Sequence, residues 1–167
     1  MRRICALILF AAIALAVSRK SPEFTIVEPG GKQTLLSSYR GKVVLVGFFA
    51  TYCVHCQNTA KAFANLQQAF GAEGLQAVGI AINPDADDAK VREFSRLFAT
   101  NFPMGLSKRE NALSYLGLSV MEYWVYPQVV LIDRKGMIRA QSEAKGSPEL
   151  QDAIELRPQI EKLLKER

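Results

Sequence analysis

A pair of cysteines at the end of an apolar run constrains this chain more than any other feature. Residues 42–49, KVVLVGFF, are almost all β-branched or aromatic, which is typical of a strand buried on both faces. Cys53 and Cys56 follow directly, and residues 56–70 then place apolar side chains at helical spacing. The two cysteines are therefore predicted to lie where a buried strand gives way to a helix.

This junction favours redox chemistry. The first N–H groups of a helix are unpaired, and together with the helix dipole they stabilise a negative charge. The thiolate is the nucleophilic form of cysteine, so we predict that Cys53 is the attacking residue. Cys56 lies one turn further along the same helical face, where it can attack a mixed disulfide formed by Cys53. Cys53 and Cys56 are thus the predicted catalytic pair.

Two other uses of a Cys-x-x-Cys pair fit this chain poorly. A structural zinc site needs four ligands, and the chain offers His55 as its single histidine and only one more cysteine, the remote Cys5. A structural disulfide stabilises most when it closes a long loop, whereas Cys53 and Cys56 would close a very short one. We predict no metal site and no cofactor other than the redox-active disulfide.

His55 lies between the two cysteines and is interpreted as a tuning residue. A positive charge or a hydrogen bond near the Cys53 sulfur stabilises the thiolate, and therefore the reduced state. The disulfide then becomes more oxidising. The alternative is that His55 is an exposed residue at the helix start with no role.

The first twenty residues resemble an export segment. A basic start, MRR, precedes the uncharged apolar residues 4–17, and Ala14 and Ala16 are small residues suited to a cleavage site. The apolar stretch is shorter than the roughly 20 residues that cross a bilayer comfortably. We predict a signal peptide over residues 1–20, or alternatively an uncleaved membrane anchor, followed by one domain over residues 21–167. Both interpretations place the domain in the periplasm or elsewhere outside the cytoplasm.

The rest of the pattern predicts an α/β domain with a sheet covered on both faces. Ser147 and Pro148 are suited to start the final helix, which Pro158 should kink or interrupt. The predicted elements are a hairpin over 23–42, strands over 42–49, 75–83, 127–133 and 136–142, and helices over 56–70, 85–102, 110–118 and from 147 onward.

Composition limits the partners. The chain is 49% hydrophobic and 22% charged, as in globular proteins, and its net charge is +5. No stretch interleaves basic and aromatic residues, so we predict no nucleic-acid partner. We expect a monomer that acts on protein thiols and disulfides, together with a membrane-bound electron donor or acceptor.

Pro127 is the second candidate feature of the site. It lies at the start of a predicted strand, where a missing ladder N–H is tolerated. A cis bond from Tyr126 to Pro127 would turn the chain towards the cysteines and leave backbone groups free for an extended substrate. A trans proline at a strand edge is the alternative. Tyr52, Trp124 and Tyr126, with Tyr123, are candidate substrate-binding residues, unless their rings serve core packing.

The chain resembles the TlpA/ResA-like thiol–disulfide oxidoreductases of the thioredoxin-like superfamily. VLVGFFATYCVHC, YPQVVLIDRKGMI and the opening hairpin carry the resemblance, which extends from Pro22 to the C-terminus. It implies a thioredoxin-like fold, with a central mixed sheet flanked by helices, an N-terminal β-hairpin and a strand–helix insertion. It also implies a cis bond before Pro127, export, and action on protein cysteines in disulfide reduction or cytochrome c maturation.

Several positions depart from the family pattern. Phe49 and Tyr52 stand where the family usually has tryptophan, and Val54 stands where it has proline. Gly47 and Thr59 replace carboxylates that relatives use to take a proton from the second cysteine. We therefore expect Cys56 to have a raised pKa and to exchange its proton with water, and the direction of electron transfer stays open.

Two other functions remain open from the sequence. A peroxiredoxin-like thiol peroxidase shares the fold and the opening hairpin, but it needs Ser or Thr at the position of Ala50. A non-catalytic thioredoxin-fold binding module would use the aromatic rings without the cysteines. A reversible two-electron couple separates the binding module from the enzymes.

Overall fold

The structure is a computed structural model and describes residues 19–166. The predicted signal peptide or anchor, including residues 4–17 and Cys5, lies outside the described residues except for Arg19 and Lys20. Within 19–166, no helix has the length and apolar content needed to cross a membrane.

Eight strands form one sheet in the order β1-β8-β7-β4-β5-β6-β2-β3. The strands are β1 (Arg19–Lys20), β2 (Thr25–Val27), β3 (Gln33–Leu35), β4 (Val43–Phe49), β5 (Leu75–Ala81), β6 (Met104–Leu106), β7 (Gln128–Ile132) and β8 (Met137–Gln141). The helices are α1 (Val54–Phe70), α2 (Asp88–Leu97), α3 (Arg109–Leu116) and α4 (Ala153–Lys165), with short 3-10 turns at Leu36–Tyr39, Gly71–Glu73 and Pro148–Leu150.

The central strand β4 explains why the sheet is mixed. It runs parallel to β5 and antiparallel to β7, and β5 runs parallel to β6. Every residue of β4 is buried, as its continuous apolar run predicts. The N-terminal hairpin β2–β3 extends the sheet beyond β6. The predicted α/β architecture, a mixed sheet flanked by helices with an N-terminal hairpin, is confirmed.

Alternate residues of β4 belong to two separate cores. Leu45 and Phe49 pack on one face with the inner sides of α1, α2 and α4. Val46 and Phe48 pack on the other face with α3 and the hairpin. This alternation follows from the two-residue period of a strand, and it puts the first core directly beneath the cysteines.

The structure departs from the predicted elements at both ends of the chain. Arg19 and Lys20 pair with β8, so the ordered domain begins before the predicted boundary at residue 21. The last helix starts after Asp152, whose carboxylate accepts the Ile154 N–H at 2.7 Å, whereas the residues from Pro148 form only a 3-10 turn. Helix α4 continues through Pro158, because that residue is exposed and the carbonyl left without its N–H can be hydrated.

The insertion also differs in detail. Helix α2 ends at Leu97, five residues before the predicted end, and Ala99 follows with a positive φ of 50°. The chain then forms β6, a strand of three residues that the sequence pattern did not predict. Three residues are too few to show a two-residue alternation against their neighbours.

Candidate functional site

Cys53 is the N-cap residue of α1. Its backbone is extended, with φ −82° and ψ 120°, and its Sγ accepts the N–H of Cys56 at 3.4 Å. The Gln57 N–H bonds to the Cys53 carbonyl at 3.0 Å and closes the first turn. The sulfur thus takes the place that Ser or Asp usually occupies at a helix start, and it is partly exposed. This placement leaves the Cys53 sulfur accessible at the start of the helix.

Cys56 lies one turn further on and is fully buried. It belongs to the core on the α1 side of the sheet, and its Sγ accepts the Ala50 N–H at 3.4 Å. Burial raises the pKa of the Cys56 thiol well above its ordinary value, and the Ala50 N–H only partly opposes that shift. The neighbouring Cys53 raises it further. Cys53 is therefore accessible, whereas Cys56 is shielded from solvent and hard to ionise.

The space beside Gly47 is filled by the ring of Phe49. A Cβ at residue 47 would lie 2.3 Å from Phe49 Cζ, well inside van der Waals contact. Gly79 pairs with Gly47 across β4 and β5, and a Cβ there would lie 2.1 Å from Met104 Sδ. Because neither glycine has a side chain, the Phe49 ring and the Met104 thioether fill the space beside them. The position at which relatives carry a carboxylate is thus occupied by apolar atoms.

Within residues 19–166, no carboxylate forms a hydrogen bond with the Cys56 sulfur, which accepts the Ala50 N–H. Thr59, the other position where relatives carry a carboxylate, is buried with 1% of its surface exposed. Neither position that the family pattern gives to a carboxylate holds one in this chain, and the Cys56 sulfur has no acidic hydrogen-bond partner among the described residues.

Asn83 fixes the turn that leads to Cys53, and the sequence analysis missed it. Its Oδ1 accepts the Thr51 N–H at 3.0 Å, and its Nδ2 donates to Thr51 Oγ1 at 3.2 Å and to Asp85 Oδ1 at 2.8 Å. Asp85 also pairs with Lys90 at 2.7 Å, and hydrogen bonds from Lys90 and Asn83 lower its pKa to about 2. The available signal was an asparagine directly after a buried strand.

His55 lies in the first turn of α1 and is exposed. Its imidazole forms no hydrogen bond or ion pair within residues 19–166. The structure therefore brings it to the helix start without pairing it with either sulfur, and its tuning role stays a prediction.

The Tyr126–Pro127 peptide bond is cis, as expected. Residue Gln128 pairs with Phe48, so Pro127 lies at the end of β4 where the turn to the cysteines begins. Gln128 is fully buried and its Nε2 donates to the Val125 carbonyl at 2.8 Å and to the carbonyls of the loop after β8. It anchors the segment before Pro127, a role that sequence reasoning did not assign.

The aromatic residues divide between core and surface. Tyr126 is partly buried and packs against both cores, and its ring meets that of Trp124 at a centroid distance of 4.7 Å. Burial raises the pKa of the Tyr126 phenol, and Tyr52, Cys56 and Cys53 raise it further, so these groups surround it. The side chains of Tyr52 and Tyr123 are 64% and 74% exposed. Tyr126 therefore packs on the core beneath the cysteines with Trp124 against it, whereas Tyr52 and Tyr123 are largely available for contact.

The chain is similar in sequence to known thiol–disulfide proteins. Residues 17–141 match the sequence model of the AhpC/TSA family. The thiol-disulfide oxidoreductase ResA of Geobacillus thermodenitrificans is 25% identical over 126 residues, which cover 75% of this chain and 68% of the relative. The thioredoxin-like protein YneN of Bacillus subtilis is 26% identical over 128 residues, covering 76% of this chain and 71% of the relative.

Solved structures agree on the fold. A putative thiol:disulfide interchange protein DsbE from Chlorobium tepidum superposes with a TM-score of 0.70 and 25% identity, covering 88% of this chain and 96% of the other. A putative protein disulfide isomerase from Bacteroides thetaiotaomicron gives a TM-score of 0.72 and 27% identity, covering 90% and 91%. The chain belongs to the AhpC/TSA family and, within it, is a thioredoxin-fold thiol–disulfide oxidoreductase of the TlpA/ResA-like group.

Proposed function

We propose that this protein is an exported oxidoreductase that exchanges electrons with protein cysteines through a Cys53–Cys56 disulfide. The observation that carries the proposal is the asymmetry of the pair. Cys53 caps the start of α1 with an accessible sulfur, whereas Cys56 is fully buried one turn further on. This is the arrangement in which one thiol attacks a substrate and the other resolves the product.

In the reducing direction, the Cys53 thiolate attacks one sulfur of a substrate disulfide. The substrate S–S bond breaks, its second sulfur leaves as a thiolate, and a mixed disulfide joins the substrate to Cys53. Cys56 then loses its proton and attacks Cys53 Sγ, which releases the first substrate sulfur as a thiolate. The substrate gains two electrons and the pair becomes a disulfide. The reverse sequence oxidises a dithiol substrate.

The second step depends on ionising a buried thiol. The Ala50 N–H is 3.4 Å from Cys56 Sγ and stabilises the thiolate once it forms. Because the Cys56 sulfur has no carboxylate as a hydrogen-bond partner within the described chain, we propose that water carries the proton. Water reaches it through the Cys53 side, which is the exposed end of the pair.

Substrate recognition is assigned to the surface around Pro127. Pro127 is buried, Tyr52 is exposed and directly precedes Cys53, and the Trp124–Tyr126 pair directly precedes Pro127. We propose that an extended segment of the substrate protein lies along this surface, with its cysteine at Cys53. The relatives named thiol-disulfide oxidoreductase and thiol:disulfide interchange protein support disulfide exchange. We place that exchange outside the cytoplasm because residues 1–20 resemble an export segment, with cytochrome c maturation and general disulfide reduction as the candidate pathways.

The decisive experiment is a redox titration of the purified domain with its Cys53→Ser and Cys56→Ser variants. We expect a reversible two-electron couple in the parent only. Cys56→Ser should accumulate a mixed disulfide with protein substrates, whereas Cys53→Ser should form none. A potential near roughly −270 mV would indicate a reductase, and one near roughly −120 mV an oxidase.

Other outcomes identify the alternatives. Absence of a reversible couple would leave only the binding-module function. Rapid consumption of hydrogen peroxide by the reduced protein would favour a thiol peroxidase, although Thr51, one residue late for that chemistry, has its hydroxyl bonded to Asn83. Cell fractionation of the full chain tests export, since a cytoplasmic location would contradict that part of the proposal.

A further inference from the structure

Arg109 is a cation held in place beside the site without a counter-ion. It is the first residue of α3, it is exposed, and its guanidinium lies over the Trp124 ring at 5.0 Å from the ring centroid. None of the ion pairs formed within residues 19–166 includes it, and none of the side-chain hydrogen bonds does. Stacking on Trp124 orients the planar group while its N–H donors stay free for a ligand.

A row of contacts connects Arg109 to the cysteines. The Trp124 ring meets Tyr126 at 4.7 Å, and Tyr126 precedes Pro127 and packs against the core that contains Cys56. The charge of Arg109 lowers the pKa of the Tyr126 phenol against the effect of burial, so the guanidinium and the phenol are close. Arg109, Trp124 and Tyr126 therefore form one edge of the proposed substrate surface, here called the arginine edge.

The charge along this edge is positive. Arg109 carries a positive charge that no ion pair within residues 19–166 neutralises. Lys108, the preceding residue, is exposed and also has no ion pair within residues 19–166. Glu110 and Glu122 are the carboxylates nearest in sequence to Arg109 and Trp124, and neither forms an ion pair with Arg109.

We propose that Arg109 binds a carboxylate of the substrate protein and thereby selects cysteines that have an acidic neighbour. This inference rests on the proposed function and names the kind of substrate it would prefer. The Arg109 guanidinium lies 5.0 Å from the Trp124 ring centroid, and the Trp124 and Tyr126 centroids are 4.7 Å apart. Tyr126 and Cys53 pack against the same core. An extended chain advances about 3.3 Å per residue, so a substrate chain that passes Tyr126 reaches Arg109 within about three residues, and we place the acidic side chain about three residues from the reacting cysteine. Planar guanidinium groups match carboxylates in a bidentate manner.

The test uses three peptides, each with one cysteine that forms a mixed disulfide with a small thiol. The peptides differ only at the position three residues from that cysteine, which is Glu, Gln or Lys. The second-order rate of exchange with reduced protein is measured for the parent, Arg109→Gln, Arg109→Lys and Arg157→Gln. Arg157 is the matched control, because it also stacks on an aromatic ring, Phe70, at 4.9 Å, but on α4 and away from the arginine edge.

In the parent and in Arg157→Gln, the Glu peptide should react about threefold faster than the Gln peptide, and the Lys peptide slower still. The ratio of the Glu-peptide rate to the Gln-peptide rate should fall to about one in Arg109→Gln and in the parent at high salt. Arg109→Lys should keep part of this preference. Equal rates for the three peptides in the parent, or an unchanged ratio in Arg109→Gln, would overturn the inference. If the parent reacts with no disulfide at all, the proposed function itself fails.

Discussion

The ring of Phe49 should prevent the chain from accepting any side chain at residue 47. In Gly47→Ala the new Cβ would lie 2.3, 2.6 and 3.0 Å from three atoms of that ring, where ordinary contacts are about 3.5–4.0 Å. Phe49 has no free direction in which to move, because it is fully buried and packs on Phe63 and Phe94 at centroid distances of 5.9 and 6.1 Å. Overpacking of this kind costs about 1–3 kcal/mol of unfolding free energy.

A double-mutant cycle measures this conflict directly. Chemical denaturation of Gly47→Ala, Phe49→Leu and the double variant should show that the double variant is about 1–2 kcal/mol more stable than the sum of the single effects predicts. Phe48→Leu is the matched control, since Phe48 is equally buried but packs on the opposite face of the sheet, so it should show no such coupling. Additive effects of Gly47→Ala and Phe49→Leu would refute the explanation of why this position holds no carboxylate.

Three further predictions concern the cysteines and their support. Burial raises the pKa of Cys56, so its thiolate fraction grows about tenfold for each pH unit below that pKa. The single-turnover rate at which Cys56 resolves a mixed disulfide should therefore rise with pH from 6 to 9. A plateau of that rate near neutrality would show that a base assists. His55→Ala should lower the reduction potential of the pair by about 10–20 mV while leaving resolution at high pH unchanged, and an identical potential would reduce His55 to a helix-start residue. Asn83→Ala removes two bonds to Thr51 and should cost about 1–3 kcal/mol of unfolding free energy and slow alkylation of Cys53 in the folded protein; unchanged alkylation would limit Asn83 to stability.

Local sequence patterns predicted β4 and α1 well, because each of these patterns is typical of only one kind of secondary structure. The apolar run of β4 and the helical spacing of apolar residues in α1 are both long and uninterrupted. The short segment between them fixes Cys53 at the start of the helix. The cis bond at Pro127 was expected from its place before a strand together with the family resemblance, and the structure contains it. The assigned roles of Tyr52, Trp124 and Tyr126 stay predictions, and the structure adds that the Trp124 and Tyr126 rings are in contact.

Contacts between distant segments could not be predicted from the sequence. Asn83 is 32 residues from Thr51, and no local period marks their two hydrogen bonds. Gln128 bonds to carbonyls 15 and 16 residues away in the same manner. Gly47 was identified only as a missing carboxylate, and the reason for its absence required the position of the Phe49 ring.

The structure also separates what sets the rate of exchange from what sets its direction. Both directions pass through the same Cys56 thiolate, as the attacking group when the substrate is reduced and as the leaving group when it is oxidised. The buried surroundings of Cys56, with apolar atoms at residue 47 and no carboxylate bonded to the sulfur within the described chain, therefore slow exchange in both directions. They cannot favour a reductase over an oxidase. That balance depends on how well the reduced pair is stabilised at Cys53, where the Cys56 N–H meets the sulfur at 3.4 Å and His55 lies in the same turn. Restoring a base beside Cys56 would make the enzyme faster, whereas only changes around Cys53 would reverse the flow of electrons.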